Sequence, residues 1–128
     1  TRHGHGLVMI YELWKQWHKC RPILIEEVNA NALYNEDDVL IGLATGDLKL
    51  WIGKKSALVT RLRQEPRAKV AECLFVGGEM NEIISMGIEI EKWAAEQGCS
   101  LVMHVGRQGW SRVMTDYDNY GVCLMKEL

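Results

Sequence analysis

No apolar run in the sequence approaches the roughly 18–20 residues that a membrane-spanning helix needs. The first residues, Thr1-Arg2-His3-Gly4-His5-Gly6, lack an apolar core followed by a small-residue cleavage site, so a protein that is not secreted is expected. Charge of one sign is missing too. Fifteen basic and seventeen acidic side chains give a net charge of -2, which leaves no global electrostatic footprint for nucleic acid. The four cysteines, Cys20, Cys73, Cys99 and Cys123, form no C-x-x-C and no Cys/His ladder. Reduced thiols are therefore expected rather than a disulfide framework. No internal repeat, low-complexity tract or linker interrupts the 128 residues, enough for one domain and too few for two. With 48% apolar and 25% charged residues, the composition is that of a soluble globular domain.

What is present falls into periodic segments. Residues 1–6 read as a frayed end. Leu7, Ile10, Tyr11, Trp14 and Trp17 recur at helical spacing and predict a helix from Leu7 to about Lys19. Pro22 breaks it or opens a second helix over 23–33. Asn35 followed by Glu36-Asp37-Asp38 is an N-cap with an acidic first turn, and Gly46 is a stop. The period then changes. Leu48, Leu50 and Ile52 alternate with Lys49 and Trp51, predicting a strand. Two more strands, Ala57–Leu62 and Lys69–Val76, follow the turns Gly53-Lys54-Lys55-Ser56 and Gln64-Glu65-Pro66-Arg67, giving an antiparallel meander. A long helix carrying Ile83, Ile84, Ile90 and Trp93 runs to Gly98. A central strand Ser100–Val105, a short helix Gly109–Thr115 and a last strand Gly121–Lys126 complete the order. The expected architecture is α+β: a mixed sheet with an antiparallel meander, helices on both faces and the N-terminal helices over residues 7–34.

That order resembles the C-terminal two-thirds of the GNAT acetyltransferase fold over roughly Asp37 to Leu128. The segment Ile90-Glu91-Lys92-Trp93-Ala94-Ala95-Glu96-Gln97-Gly98-Cys99 is similar to the end of that family's long helix. Asp116-Tyr117-Asp118-Asn119-Tyr120-Gly121-Val122 is similar to its tyrosine ahead of the last strand. Phe75-Val76-Gly77-Gly78-Glu79, Gly106-Arg107-Gln108-Gly109-Trp110 and the tail Lys126-Glu127-Leu128 resemble short GNAT-like proteins of tailed bacteriophages. The resemblance implies acetyl-CoA as cofactor with Val76, Gly77 and Gly78 at its pyrophosphate, Tyr117 as general acid and Glu72 as general base. It implies N-acyl transfer, or a non-catalytic virion component or protein-binding module, located in the host-cell cytoplasm or the virion. Virion or host proteins, or a second copy, are the implied partners; no membrane, nucleic acid or metal is expected.

The residues themselves leave other readings open. The elbow is reduced to Gly77-Gly78, and Glu79 and Glu82 follow in the first helical turn, where they would repel a pyrophosphate. Glu72 needs partial burial to act as a base, or it faces water. Tyr117 can equally cover the sheet edge. Arg107 and Trp110, beyond the strand's carboxyl end, offer an anion contact and a stacking wall for substrate, or simply pack. His104, near the end of that strand, is a third substrate contact able to titrate near neutrality, or is structural. His3, His5, His18 and Cys20 have metal-ligand chemistry but not the spacing of a built site. Arg61 and Arg63 share a strand face and, with Lys54, Lys55, Arg67 and Lys69, make a local basic patch or a solvated sheet edge. Trp14 and Trp17 share a helix face, and any part left uncovered would mark an association site.

Overall fold

The computed structural model describes residues 2–104 (backbone only for 2–9), 114–118 and 124–128. The chain is α+β. Helices α1 (Arg2–Ala30) and α2 (Glu36–Thr45) precede strands β1 (Leu48–Ile52), β2 (Ala57–Gln64) and β3 (Lys69–Gly77), then helix α3 (Met80–Glu96) and strand β4 (Leu101–His104). The sheet order is β1-β2-β3-β4. The first three strands form the expected antiparallel meander, and β4 joins β3 in parallel, Val70 opposite Leu101 through Cys73 opposite His104. A parallel neighbour needs a crossover, which α3 supplies. Among the described residues no helix is long and apolar enough to cross a membrane.

The two expected N-terminal helices are one. α1 continues through Pro22. Proline removes only one backbone bond, to the carbonyl four residues back. Its ring here is on the solvent side. On the opposite side Trp17, Cys20, Leu24 and Val28 are buried at three- and four-residue spacing, and that burial outweighs the local break. After Ala30 the Asn31 side chain accepts from the N–H groups of Leu33 and Tyr34, at 2.7 and 2.9 Å, and turns the chain. Asn35 then caps α2 in a reciprocal box with Asp38, and Gly46 ends it in the left-handed region.

The sheet is covered on both faces. α1 and α2 lie over Leu48, Ala57, Val59 and Phe75. α3 lies over Leu58 and Cys73 with Ile83, Met86 and Ile90, and Trp51 meets Trp93 edge-on at 5.3 Å. A bulge beside Val59/Thr60 leaves Leu74 unpaired between Cys73 and Phe75, so Leu74 and Phe75 both turn to the α1–α2 face. β4 ends the described sheet. The short helix expected over 109–115 falls mostly outside the described residues, and Met114–Asp118 form a turn. The expected strand over 121–126 also falls largely outside them, with no strand assigned over 124–128. Cys20, Cys73 and Cys99 are free thiols; Cys123 lies outside the described residues.

Candidate functional site

Val76, Gly77 and Gly78 form the elbow between β3 and α3, and α1 and the β1–β2 turn crowd it. The Val76 N–H donates to Oε2 of Glu27 on α1 at 3.1 Å. Gly77 lies so close to α1 that a Cβ would stand 2.7 Å from the Ile23 carbonyl oxygen. Gly78 has φ +115, and its Cβ would stand 2.4 Å from both the Lys55 carbonyl oxygen and the Ser56 Cα. The Glu79 N–H, first of the free donors at the start of α3, donates to Ser56 Oγ at 2.9 Å. The β1–β2 turn thus sits directly against the elbow.

That turn contains an anion seat. Gly53 N–H donates to the Ser56 carbonyl at 2.8 Å and closes the turn, leaving the Lys54 and Lys55 N–H groups aimed outward together. Both donate to the Glu82 carboxylate, at 2.9 and 2.8 Å. Gly53 is required for this approach, since a Cβ would lie 2.5 Å from Glu82 Oε1. The Lys55 N–H, the Ser56 hydroxyl and the Lys54 N–H hold the Glu82 carboxyl below the usual carboxylate range. Glu82 is therefore more than a charge near the helix N-terminus: it is the anion bound in the β1–β2 turn.

A second cluster sits where the β3–β4 pairing ends. Cys73 Sγ and His104 Nε2 are 3.7 Å apart. The His104 and Tyr117 rings meet edge-on at 5.2 Å, and the Tyr117 hydroxyl donates to Glu91 Oε1 on α3 at 2.8 Å. Burial, then the Glu91 carboxylate, pushes the Tyr117 phenol up. Burial also pushes the Cys73 thiol up to about 12, with Glu72 and Glu91 adding to it. It lowers His104, against the opposing pull of Glu91. At neutral pH the cluster holds a protonated thiol, a protonated phenol and an imidazole disfavoured as a cation. Both raised groups bind protons more tightly folded than unfolded. Their contribution to stability is complete below the ordinary values of 9.0 and 10.0 and is lost as pH climbs past them.

The thiolate is the reactive form of cysteine. Cys73, buried and raised, is expected to resist iodoacetamide in the folded protein, with no rise in rate between about pH 7 and 9 where an ordinary thiol ionises. Half-buried Cys99 is expected to react before it. Peptide mapping after timed alkylation reads both. Native-state labelling of Cys73 as fast as Cys99 would contradict the burial assigned to it.

Glu72 does not join Tyr117. Adjacent to Cys73 on β3, it points to the other face of the sheet, toward α1 and α2. It is not water-facing but 3% exposed. Arg61 Nε donates to its Oε1 at 2.8 Å and Arg63 to its Oε2 at 2.9 Å. Arg61 also reaches the Tyr34 hydroxyl at 2.7 Å, and Arg63 reaches Glu65 at 2.7 Å. Two arginines of the expected basic patch are thus spent inside the fold. Of the sequence-derived candidates, His104 and Tyr117 come together, the elbow residues stand apart with the β1–β2 turn, and Glu72 lies across the sheet. Arg107 and Trp110 lie outside the described residues. Among the described residues no group of three or more His, Cys, Asp or Glu is placed to hold a metal.

The sequence reading missed Ser56, Glu27 and Glu91. The turn holding Ser56 was recognisable, but its contact with α3 spans 23 residues and leaves no local pattern. No family model, no curated protein and no solved structure matches the chain significantly.

Proposed function

We propose that the chain is a non-catalytic binding module built on a GNAT-like scaffold of the bacteriophage type, serving in the virion or in contact with host proteins. One observation carries this reading: the Glu82 carboxylate occupies the backbone donors of the β1–β2 turn that closes over the elbow. A coenzyme pyrophosphate approaching Gly77-Gly78 would meet that carboxylate, the Lys55 carbonyl and the Ile23 carbonyl. The Val76 and Glu79 N–H groups already have partners within the chain. Binding would have to break these contacts and unseat a stabilised anion.

A second reading, acetyl-CoA-dependent N-acyl transfer, is favoured by the meeting of Tyr117 and His104 at the carboxyl end of β4, where open α/β sheets place ligands. In that reading Tyr117 is the proton donor and the base must be sought on its own face of the sheet, since Glu72 is held by two arginines on the other.

Calorimetric titration with acetyl-CoA separates the two. The binding module is expected to show no association tighter than about 1 mM, roughly -4 kcal/mol. A Kd below about 100 µM, roughly -5.5 kcal/mol, and weakened by Tyr117→Phe, would establish the transferase reading instead.

A further inference from the structure

Ahead of Trp17, α1 carries an apolar face that stands exposed among the described residues. From residue 10 onward, burial along α1 begins at Trp17, with Leu13 partly covered. Ile10 continues the line of Leu13, Trp17, Leu24 and Val28, and Trp14 and Tyr11 flank it. These three are 54%, 56% and 60% exposed. Charge is segregated along the chain in the same way. Residues 1–21 carry Arg2, Lys15, Lys19 and Arg21 against Glu12 alone, a balance of +3, so the remainder carries -5. A surface that fits this stretch of helix is apolar and edged with carboxylates.

The chain has such a surface on the outer side of α2 and the turn before it. Leu33 is 70% and Ile41 61% exposed. Asp37 stands one helical turn before Ile41 and is exposed on the same side. The two surfaces already pair once within the chain, a turn further along: Trp17 Nε1 and Arg21 of α1 both donate to Glu36, the first residue of α2. Arg21, then Trp17, holds Glu36 below the usual carboxylate range.

We propose that residues 10–15 of α1 are a self-association arm that docks on the outer face of α2 of a second copy, with Ile10 and Trp14 against Leu33 and Ile41 and Lys15 beside Asp37. Every copy has one arm and one acceptor face on the same side of its sheet, so two copies exchange both contacts about a two-fold axis. The inference deepens the binding-module reading by naming the partner. A monomer would overturn the inference alone, since that reading stands or falls on the acetyl-CoA titration.

Sedimentation equilibrium of the full chain at about 200 µM, a loading that populates a contact of ~10 µM affinity, is expected to give twice the 14.6 kDa chain mass. Salt should weaken it. Trp14→Glu removes both arms and Ile41→Arg both acceptor faces. Each is expected to weaken association at least ~tenfold with an unchanged far-UV spectrum, because both side chains are exposed. Mixed in equal amounts, the two variants should associate again through the one intact arm and the one intact face. A monomeric unsubstituted chain, a dimer that survives either substitution, or no recovery on mixing would each overturn the proposal.

Discussion

Replacing Gly78 by alanine is expected to lower stability by about 2–4 kcal/mol. Two costs combine. At φ +115 any side chain is strained, and the new Cβ would stand 2.4 Å from backbone atoms of Lys55 and Ser56. Neither neighbour is the free end of a flexible side chain, so relief requires the β1–β2 turn to move away from α3. Moving it also separates Ser56 Oγ from the Glu79 N–H and Glu82 from the Lys54 and Lys55 N–H groups. Two other glycines separate the terms. Gly46 has φ +87 with nothing within 4 Å of its Cβ position, so Gly46→Ala should cost only the conformational term, about 1–2 kcal/mol. Gly87, inside α3 with nothing nearby, should gain about 1 kcal/mol as alanine. Urea unfolding of the three variants gives the order directly. A Gly78→Ala midpoint no lower than that of Gly46→Ala would mean that the turn does not press on the elbow.

The elbow also shows how far the sequence could be read. Strand alternation in Leu48–Ile52, the Asn35 cap and the apolar face of α3 are local patterns, and the elements stand where those patterns put them. Pro22 is a local pattern as well, and there it misled: a proline signals a break only where tertiary burial does not hold the helix together. Glu82 could be placed in the first turn of α3 from sequence, but not in the β1–β2 turn, because the contact joins residues 27 and 28 positions apart. Glu72 is the instructive intermediate. Alternation with Ala71 and Cys73 says that it faces opposite to Cys73, and nothing more. Whether that face is wet depends on α1 and α2, which no strand pattern reports. One signal was available. The turn at Gln64–Arg67 fixes a register in which Arg61 falls directly opposite Glu72, and an oppositely charged cross-strand pair flanked by a second arginine points to a network rather than a free carboxylate.

Removing the cations from that network is expected to cost more than removing the acid. With Arg61→Met and Arg63→Met together, Glu72 remains 3% exposed with neither of its two ion-pair partners, and a loss of about 3–5 kcal/mol is expected. Glu72→Met leaves the two guanidinium groups instead. Their side chains are 27% and 38% exposed, so they retain part of their hydration, and Arg63 keeps Glu65. A smaller loss of about 1–3 kcal/mol follows. The triple substitution removes all three charges together and replaces them with side chains able to fill the same space. Desolvation no longer has to be offset, so its stability should return to within about 1 kcal/mol of the unsubstituted chain. The strong non-additivity is the signature: charges that depend on one another inside the fold give a coupling of several kcal/mol in the cycle, whereas independent surface charges give nearly none. Tyr34, which accepts from Arg61 and packs edge-on against Phe75 at 6.0 Å, ties the network to the α1–α2 connection. Its fluorescence environment should therefore change in the double arginine variant. Additive losses across the cycle would return Glu72 to the surface and reopen its candidacy as a base.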